Sequence, residues 1–496
     1  MQQEQAKTVR RANEWMQAHT PQVKSAYKPR YHASVPCGWA NDPNGLIWYQ
    51  GEAHLFYQHN PYAPRWDTMH WGHMSSTDLL HWHSHDEALA SDMPYDREVG
   101  CFSGTALAWN DRLWLMYAGA LNGRQQQCLA VSTDGEHFEK MAENPVISTA
   151  MLPEGYAPGD FRDPKLFCRD GCFYCIAATR NARGGNLLLY RAKDLTRWEY
   201  VGALFTQQGD GSACDFLLPD GVCECPDYAV IDGQEVLIFS PQNLPQQGHR
   251  YQNISSTVYM IGHLDTETGR FTCDRLDEID GGFDFYAAQT MHLPDDRTVM
   301  IAWQEMWGRN YPTQADGWAG SFTLPRELHV QNGRLVQKPV REAEQLWTKT
   351  TRYERMPLTD SRKLPDVQGD VAQLQLLLHM GSAKRAGVTL MGDGKHETRL
   401  VCDREAGTLT LDRSDSGLPM GGEERDKQTR TVDACLTGDV LELCIFLDVS
   451  SVEAFVGGGK QTLTAHVYPE LNGRREISFF AEEGEAELLE VCFHTL

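Results

Sequence analysis

Positive charge is scarce in this sequence. Its 496 residues include 45 Lys and Arg against 68 Asp and Glu, so the formal net charge is −23. Nucleic acids and anionic membrane surfaces are bound mainly through Lys and Arg, which neutralise phosphate charge. The composition therefore argues against nucleic acid and against a membrane surface as partners.

Long apolar runs and ordered cysteine patterns are missing as well. No run reaches the roughly 18 apolar residues that span a bilayer. Residues 1–11 are polar and lack the apolar segment of a secretion signal. The 14 cysteines are too widely spread for a disulfide framework. These features predict a cytoplasmic protein with reduced thiols.

Motifs of several common enzyme classes are also absent. The chain has no glycine-rich loop of the dinucleotide-binding or phosphate-binding type, and it has no G-x-S-x-G nucleophile elbow. An apolar content of 41% nevertheless indicates a folded globular protein. At roughly 150 residues per domain, the length suggests two to four domains.

What the sequence does contain is a succession of short apolar runs. Runs such as 46–49, 113–117 and 236–239 are rich in aromatic and β-branched residues and alternate with Gly, Asp and Asn turns. This texture predicts β-strands. Ahead of them, residues 4–19 have helical periodicity, so one short helix is expected in an N-terminal segment of residues 1–27.

An Asp-centred turn recurs along the first two-thirds of the chain. It is centred on Asp78, Asp134 and Asp194, each followed four positions later by an aromatic residue, and a looser copy follows at Asp265. The first two steps are 56 and 60 residues. Such a period is typical of a four-stranded propeller blade with long loops, and it predicts five blades over residues 28–345.

A polar or acidic segment precedes each of these turns by about 30 to 40 residues. The segments are Asn41-Asp42-Pro43-Asn44-Gly45, Phe102-Ser103-Gly104, Phe161-Arg162-Asp163-Pro164 and Glu224-Cys225-Pro226-Asp227, and Asp284-Phe285-Tyr286-Ala287 opens a fifth blade. Because the first strand of each blade faces the central axis, these segments are predicted to converge on one acidic, aromatic-lined cavity.

The texture changes near residue 345, where Trp and Tyr become rare. Alternating runs at 371–379, 407–412, 440–448 and 452–455 predict an antiparallel sandwich over residues 346–496. This part shows no cluster of catalytic residue types. The predicted fold is therefore all-β, with a five-bladed β-propeller followed by a C-terminal β-sandwich.

Three acids in the phased segments are candidates for catalysis: Asp42, Asp163 and Glu224. Cleavage of a glycosidic bond uses one ionised carboxylate and one carboxylic acid, held in different environments. Any single acid is more often a turn cap, but their shared phase favours a common site. The 13 Trp and 18 Tyr suit the same reading, because rings pack against the apolar faces of sugars.

Cysteine and histidine clusters permit a metal-binding alternative. The clustered residues are Cys168, Cys172, Cys175, Cys223, Cys225, His70, His73, His81, His83 and His85. A structural zinc site usually has paired Cys or His elements, whereas these cysteines lie on apparent strands. Buried free thiols are therefore the favoured interpretation.

The first phased segment carries a resemblance to a known family. Trp39-Ala40-Asn41-Asp42-Pro43-Asn44-Gly45 resembles the W-M-N-D-P-N-G motif of glycoside hydrolase family 32, with Ala40 where Met is usual. Further blocks match in the same order, from Phe56-Tyr57-Gln58-His59-Asn60-Pro61 through the phased segments to Pro325-Arg326-Glu327-Leu328. Asp448-Val449-Ser450-Ser451-Val452-Glu453-Ala454-Phe455 resembles the signature of the family's sandwich.

This resemblance implies retaining hydrolysis of terminal β-D-fructofuranosides through a covalent fructosyl-enzyme. Asp42 would be the nucleophile, Glu224 the acid and then base, and Asp163 the transition-state stabiliser. Arg162 would favour the ionised form of Asp163. The resemblance implies no metal and no cofactor. The residues expected to bind substrate are Trp39, Asn41, Gln58, Trp66, Phe102, Ser103, Arg162 and Trp303.

Sucrose or sucrose 6-phosphate is the expected substrate, and oligomeric state stays open. A fructan exo-hydrolase of the same family is an alternative, which the lack of a secretion signal disfavours. A catalytically inactive, carbohydrate-binding propeller would be expected to lack one of the acids, and an inverting relative acting on arabinans would lack the complete motifs. A substrate phosphate would need a basic site, for which Arg65, His70 and Arg124 are candidates.

Overall fold

The computed structural model describes residues 8–97, 99–205, 221–422 and 428–496. Its one α-helix in this described part, α1 (Val9–His19), is N-capped by Thr8, whose hydroxyl accepts the Arg11 N–H at 3.3 Å. The helix predicted over 4–19 therefore begins at Val9, and residues 1–7 lie outside the described residues. In the described part, no helix has both the length and the hydropathy to cross a membrane.

Five small antiparallel sheets follow one another along the chain. The first contains β1 (Gly38–Tyr49), β2 (Glu52–Asn60), β3 (His70–Ser76) and β4 (His83–Ser84). The second contains β5 (Gly100–Trp109), β6 (Arg112–Leu121), β7 (Arg124–Ser132) and β8 (Glu139–Lys140). The third contains β9 (Arg162–Arg169), β10 (Cys172–Asn181), β11 (Gly184–Ala192) and β12 (Trp198–Ala203).

The last two sheets complete the first part of the molecule. The fourth contains β13 (Cys223–Ile231), β14 (Gln234–Pro241), β15 (Val258–Leu264) and β16 (Phe271–Glu278). The fifth starts with β17 (Tyr286–His292) and β18 (Thr298–Trp303), and after the short strands β19 (Arg309–Asn310) and β20 (Trp318–Ala319) it ends with β21 (Arg326–Gln331) and β22 (Arg334–Pro339). Short 3-10 helices lie at Thr20–Gln22, Thr149–Met151, Pro158–Asp160, Pro312–Asp316 and Arg341–Leu346.

The five sheets are blades arranged in a closed ring. Each first strand contacts the first strand of the next blade, in the order β1, β5, β9, β13 and β17, and β17 contacts β1 again. The short strand β20 also pairs in parallel with β1. Apolar side chains fill the space between blades; for example, Phe56 and Trp71 of the first blade pack with Leu115 and Tyr117 of the second. The predicted five-bladed propeller is confirmed.

The Asp-centred turns occupy the same place in four blades, between the third and fourth strands. Oδ1 of Asp78 accepts the backbone N–H groups of Leu80 and His81, at 3.0 and 2.8 Å. Asp134, Asp194 and Asp265 each accept two backbone N–H groups from the following residues in the same way. The repeat in the sequence thus corresponds to a turn that precedes the outer strand in each of these four blades.

Irregularities in the first strands explain why their segments look unlike ordinary strands. In every blade, the pairing of the first strand with the second shifts register at the predicted segment. Asp163, Cys225 and Ala287 have positive φ values of 54°, 46° and 55°. A β-bulge turns side chains away from the regular alternation. The bulges therefore re-aim the polar residues of the first strands.

The remaining strands form two six-stranded antiparallel sheets. In chain order they are β23 (Lys349–Leu358), β24 (Ser361–Gln368), β25 (Val371–His379), β26 (Arg385–Gly392), β27 (Glu397–Asp403), β28 (Thr408–Asp415), β29 (Gly421–Gly422), β30 (Thr429–Asp433), β31 (Val440–Asp448), β32 (Ser451–Val456), β33 (Gln461–His466), β34 (Glu476–Glu482) and β35 (Ala486–Thr495). The sheet orders are β23-β35-β25-β31-β32-β33 and β24-β34-β26-β27-β28-β30, while β29 pairs with β19. One apolar core lies between the two sheets, as in a sandwich.

The sandwich is joined to the propeller through buried ionic groups. His32 donates from Nδ1 to Asp448 Oδ2 and from Nε2 to Glu453 Oε1, each at 2.8 Å. Burial alone would lower the pKa of His32, but these two carboxylates raise it to about 9. Glu453 also pairs with the fully buried Arg326. The sequence block that carries Asp448 and Glu453 is therefore part of the joint between the two domains.

Candidate active site

A cavity of about 500 Å³ opens at one end of the propeller ring. Its volume lies in the range of small-molecule sites, roughly 300–1,000 Å³. Nine of the predicted residues line it: Asn41, Asp42, Gln58, Trp66, Phe102, Ser103, Arg162, Asp163 and Glu224. The lining is completed by Gln125, Gly159, Asp160, Gln242, Asn243, Ser255 and Trp307. The three candidate acids, 182 residues apart from first to last in the sequence, therefore share one cavity.

Asp42 lies on the bulge of β1 and is almost completely buried. Its Oδ2 accepts the hydroxyl of Ser103 at 2.6 Å and the thiol of Cys225 at 3.4 Å. Its Oδ1 is buried and accepts no hydrogen bond from the described residues. Burial raises the pKa of Asp42, and the hydrogen bond from Ser103 counteracts part of that rise. One carboxylate oxygen is thus fixed in place while the other is unbonded.

Trp39 supports this arrangement without lining the cavity. Its Nε1 donates to Asn41 Oδ1 at 2.9 Å, which fixes the side chain of Asn41 next to Asp42, and Asn41 helps to counteract the rise in the pKa of Asp42. The expectation of direct sugar contact is wrong for Trp303, which is 0% exposed. Its ring lies 5.0 Å from that of Trp307, and it is Trp307 that lines the cavity. The long connection between β18 and β21 returns to pair with Trp303 through Phe322 and helps to bury it. A sequence motif does not reveal this burial.

Asp163 lies at the bulge of β9 with a left-handed backbone conformation. Its Oδ2 accepts the backbone N–H of Cys225 at 3.0 Å, so the third and fourth blades are tied at this point. Burial raises the pKa of Asp163; Arg162 opposes the rise, and the neighbouring Glu224 and Asp42 add to it. The negative charges of Glu224 and Asp42 therefore favour the protonated form of Asp163.

Glu224 is held by donors on both carboxylate oxygens. Arg162 donates from Nη2 to Oε1 at 2.8 Å and from Nε to the same oxygen at 3.2 Å. The hydroxyl of Tyr286 donates to Oε2 at 2.6 Å. Burial raises the pKa of Tyr286 well above its usual value, so the phenol remains a neutral donor. These contacts fix the plane of the Glu224 carboxyl at the cavity wall.

Arg162 has a further partner besides the one predicted. Its Nε lies 3.9 Å from Asp163 Oδ2, and this ion pair opposes the rise in the pKa of Asp163 as predicted, while its hydrogen bonds go to Glu224. Its Nη1 donates to Asp160 Oδ1 at 3.0 Å, and Asp160 in turn accepts Arg180 Nε at 2.6 Å. Because an arginine next to a motif acid can turn to either neighbouring blade, only the packing decides which carboxylate it binds.

Sequence reasoning missed Cys225, Tyr286 and Trp307 as site residues. Cys225 and Tyr286 stand inside segments that the repeat had already placed at the axis, so their phase was the available signal. Trp307 lies in a connection between the second and third strands of a blade. The same kind of connection brings Trp66 and Asn243 to the cavity in other blades, and loops of this kind have no repeat signal in the sequence.

The metal-binding alternative gains no support from the geometry. In the described ranges, no group of three or more His, Cys, Asp or Glu side chains could hold a metal ion. The buried-thiol interpretation holds for Cys175, Cys223 and Cys225, but it is wrong for Cys168, which is exposed, and for Cys172, which is partly exposed. The absence of a metal from the reaction stays a prediction.

Comparison with known proteins agrees with this cavity. The model of the "Glycosyl hydrolases family 32 N-terminal domain" matches residues 32–339, and that of the "Glycosyl hydrolases family 32 C terminal" matches residues 339–495. The chain belongs to glycosyl hydrolase family 32. The predicted family and fold class are therefore confirmed.

Individual relatives within glycosyl hydrolase family 32 cover nearly the whole chain. A sucrose-6-phosphate hydrolase from Zymomonas mobilis is 37% identical over 94% of this chain and 91% of its own length. A raffinose invertase from Escherichia coli is 35% identical over 97% and 95%. A mutant GH32 β-fructofuranosidase from Bombyx mori, solved in complex with sucrose, superposes with a TM-score of 0.83 at 31% identity, over 100% of this chain and 99% of that one.

Proposed function

We propose that the chain is a retaining β-fructofuranosidase that cleaves terminal β-D-fructofuranosides such as sucrose. The observation that carries this proposal is the convergence of Asp42, Asp163 and Glu224 from three blades in one cavity. Catalysis belongs to the propeller, residues 28–345, and the sandwich, residues 346–496, supports it. The family match and the relatives named for sucrose derivatives support the same substrate class.

In this mechanism Asp42 attacks the anomeric carbon of the fructosyl unit. Its Oδ1 is the oxygen without a hydrogen bond, so it forms the new bond to C2 while the bond from C2 to the leaving oxygen breaks. Glu224 transfers a proton to that leaving oxygen. Asp163 accepts hydrogen bonds from fructose hydroxyls, which strengthen as positive charge develops on the ring.

The second half of the reaction returns the enzyme to its starting state. Glu224, now ionised and held by Arg162 and Tyr286, removes a proton from water. The resulting hydroxide attacks C2 from the face that the leaving group vacated, and the bond to Asp42 breaks. Two displacements at the same carbon preserve the β-configuration.

The stereochemistry of the first-formed fructose tests this mechanism. We expect NMR to detect β-fructofuranose before mutarotation, because two displacements at C2 retain the configuration. The same mechanism requires the carboxyl groups of Asp42 and Glu224 to lie roughly 5–5.5 Å apart. First release of the α-anomer would rule out the covalent route and favour an inverting reaction. Hydrolysis that starts inside a fructan chain would contradict the restriction to terminal units.

The phosphorylated form of sucrose is our proposed physiological substrate. Arg124 and Arg183 are exposed at the tips of hairpins in neighbouring blades. The strip between those tips is the 3-10 helix Pro158–Asp160, whose residues Gly159 and Asp160 line the cavity. Gly159 in that strip is packed so tightly that a Cβ would lie 2.9 Å from the carbonyl oxygen of Gly123. Arg180 is bound to Asp160 in the same strip. In a chain of net charge −23, this basic rim is suited to a phosphate monoester.

The other two sequence candidates for phosphate binding have different outcomes. His70 is 0% exposed, and its Nδ1 contacts the backbone oxygen of Thr68 at 3.2 Å, so the prediction is wrong for His70. Arg65 is exposed next to the cavity-lining Trp66 and stays a candidate.

Substitution of the rim arginines should lower the preference for the phosphorylated substrate. We expect Arg124→Ala and Arg183→Ala each to lower the ratio of kcat/KM for sucrose 6-phosphate to kcat/KM for sucrose by about 10- to 150-fold, since a charge-assisted hydrogen bond contributes roughly 1.5–3 kcal/mol. Arg112→Ala is the matched control, because Arg112 is exposed at the opposite end of strand β6. An unchanged ratio in both rim variants would contradict the phosphate proposal.

A cytoplasmic location is part of the proposed function. Cys101, Cys128 and Cys175 are free and buried, and free thiols persist in a reducing compartment. Cys273 differs, because it is disulfide-bonded. A phosphorylated sugar as substrate agrees with the same location, whereas a fructan exo-hydrolase would meet its polymer outside the cell.

A further inference from the structure

The segment that leads into the first strand of the fifth blade is docked on the sandwich. Gly281 N–H donates to Thr462 O at 3.0 Å, and Phe283 N–H donates to Thr464 O at 2.7 Å. Asp280 accepts the hydroxyl of Thr464 at 2.6 Å. Both threonines belong to β33 of the sandwich. Residues 280–284 therefore continue the hydrogen bonding of a sandwich strand although they belong to the propeller.

Asp284 is the most strongly held residue of this segment. Its Oδ2 accepts Nη1 of Arg413 at 2.8 Å and the backbone N–H of His466 at 2.7 Å, both from the sandwich. Its Oδ1 accepts Arg309 and, at 3.2 Å, the hydroxyl of Tyr311. Burial would raise the pKa of Asp284, but the two arginines lower it to about 2. The carboxylate is thus permanently ionised and bonded on both oxygens.

The neighbouring Phe283 forms a second contact between this segment and the sandwich. Its side chain is completely buried within the apolar core of the sandwich. The guanidinium carbons of Arg413 and Arg430 lie 3.7 and 4.3 Å from the centre of its ring. Arg430 also donates from Nε and Nη2 to Asn253 Oδ1, at 3.0 and 2.7 Å. Two sandwich arginines therefore stack on the same ring, and Arg413 also forms an ion pair with Asp284.

Only Phe285 separates Asp284 from Tyr286, which donates to Glu224. Tyr286 is itself fully buried, and its hydroxyl also lies 3.1 Å from the backbone oxygen of Ser240. With its backbone fixed by Asp284, the ring has little freedom to follow Glu224 if the carboxyl moves. The ionisable groups that face Glu224 are Asp42, Asp163, Arg162, Cys223, Cys225 and Tyr286.

We propose that the sandwich positions the catalytic acid, with Arg413 holding Asp284, Asp284 fixing Tyr286, and Tyr286 orienting Glu224. The inference rests on the proposed function of Glu224 and assigns Arg413 as a positioning residue that touches neither substrate nor reacting atoms. It gives the sandwich a part in catalysis that the family match does not describe. Arg413 is linked to Glu224 through its ion pair with Asp284, the backbone from Asp284 to Tyr286 and the hydroxyl of Tyr286.

A leaving-group comparison measures this positioning. Arg413→Met keeps the length of the side chain and removes its charge, and we expect it to lower kcat for sucrose by about 10- to 100-fold, because small misplacement of a catalytic group costs on that order. Cleavage of an aryl β-fructofuranoside should fall much less, since its phenolate leaves without a proton. KM for sucrose should change little.

Arg430→Met is the matched control, since Arg430 stacks on the same ring and is equally buried. This control variant should leave the ratio of the sucrose rate to the aryl fructoside rate unchanged. Arg413→Lys should restore part of the sucrose rate, because it keeps the charge near Asp284, and it replaces Arg413→Met if that variant does not fold. Tyr286→Phe should show the same leaving-group pattern as Arg413→Met.

The double variant decides whether Arg413 acts through Tyr286. If it does, Arg413→Met should cause little further loss of sucrose hydrolysis in a Tyr286→Phe background. Independent, additive losses would overturn the proposal, as would equal losses on both substrates or equal effects of Arg413→Met and Arg430→Met. Failure of the proposed function is distinguishable, because Glu224→Ala would then retain sucrose hydrolysis whatever the Arg413 variants do.

Discussion

Asp42→Ala is expected to abolish turnover of sucrose and of an aryl β-fructofuranoside alike. The unbonded Oδ1 of Asp42 is the atom that would form the bond to the anomeric carbon. Without it no fructosyl-enzyme can form, whatever the quality of the leaving group. Loss of a nucleophile costs on the order of 10⁴-fold or more in kcat. Steady-state rates on both substrates measure the effect.

Asp42→Asn is the control for shape, since it keeps the side-chain volume and removes the charge. Mass spectrometry of rapidly denatured enzyme should show one added fructosyl unit in the native protein and none in either variant. A covalent intermediate in Asp42→Ala would refute the assignment. In the native enzyme, the acidic limb of the pH–rate profile should lie above the usual range of an aspartate, because burial raises the pKa of Asp42 and protonation removes the nucleophile.

Glu224→Ala is expected to separate the two substrates that Asp42→Ala treats alike. Sucrose hydrolysis should fall by on the order of 10²–10⁴-fold, the usual contribution of a general acid. Formation of the fructosyl-enzyme from an aryl fructoside should be largely retained, because a phenolate does not need the proton. Burst kinetics of phenol release, followed by slow hydrolysis, would measure both steps.

Azide should accelerate turnover of this variant on the aryl fructoside. Removal of the Glu224 side chain leaves the guanidinium of Arg162 and the hydroxyl of Tyr286 as donors around the vacated space, which suits a small anion. Azide attacks the fructosyl-enzyme without a base, so fructosyl azide should accumulate. Glu235→Ala is the control, since Glu235 lies on the next strand of the same blade and binds Arg169 outside the cavity. Equal loss on both substrates in Glu224→Ala would contradict its role as the acid.

Much of the propeller could be predicted from the sequence, because each blade carries the same local signal. The Asp-centred turn uses side-chain-to-backbone hydrogen bonds within a few residues, as Asp134 does with Glu136 and His137. Such a turn forms wherever its short sequence occurs. The axial segments were visible for a related reason, since bulges at Asp163 and Cys225 replace the alternation of a regular strand.

The partners of the site residues could not be predicted in the same way. Arg162 donates its hydrogen bonds to Glu224, in addition to its ion pair with the neighbouring Asp163, because the fourth blade packs against the third. Trp303 is buried and Trp307 lines the cavity because the connection between β18 and β21 folds back against the end of β18. His70 is enclosed in the first blade, whereas Arg65, five positions before it, is exposed.

The sequence by itself determined the five blades, the sandwich and the three acids that meet at the axis. These follow from periodicity, turn chemistry and short motifs, all of which act over a few neighbouring residues. Only the tertiary structure decided which donors each acid receives, and that Arg413 of the sandwich binds Asp284, two residues before Tyr286 at the cavity. Those contacts join residues that are 62 to 129 positions apart. Their geometry depends on how separately folded sheets pack against each other, and no local pattern encodes that packing.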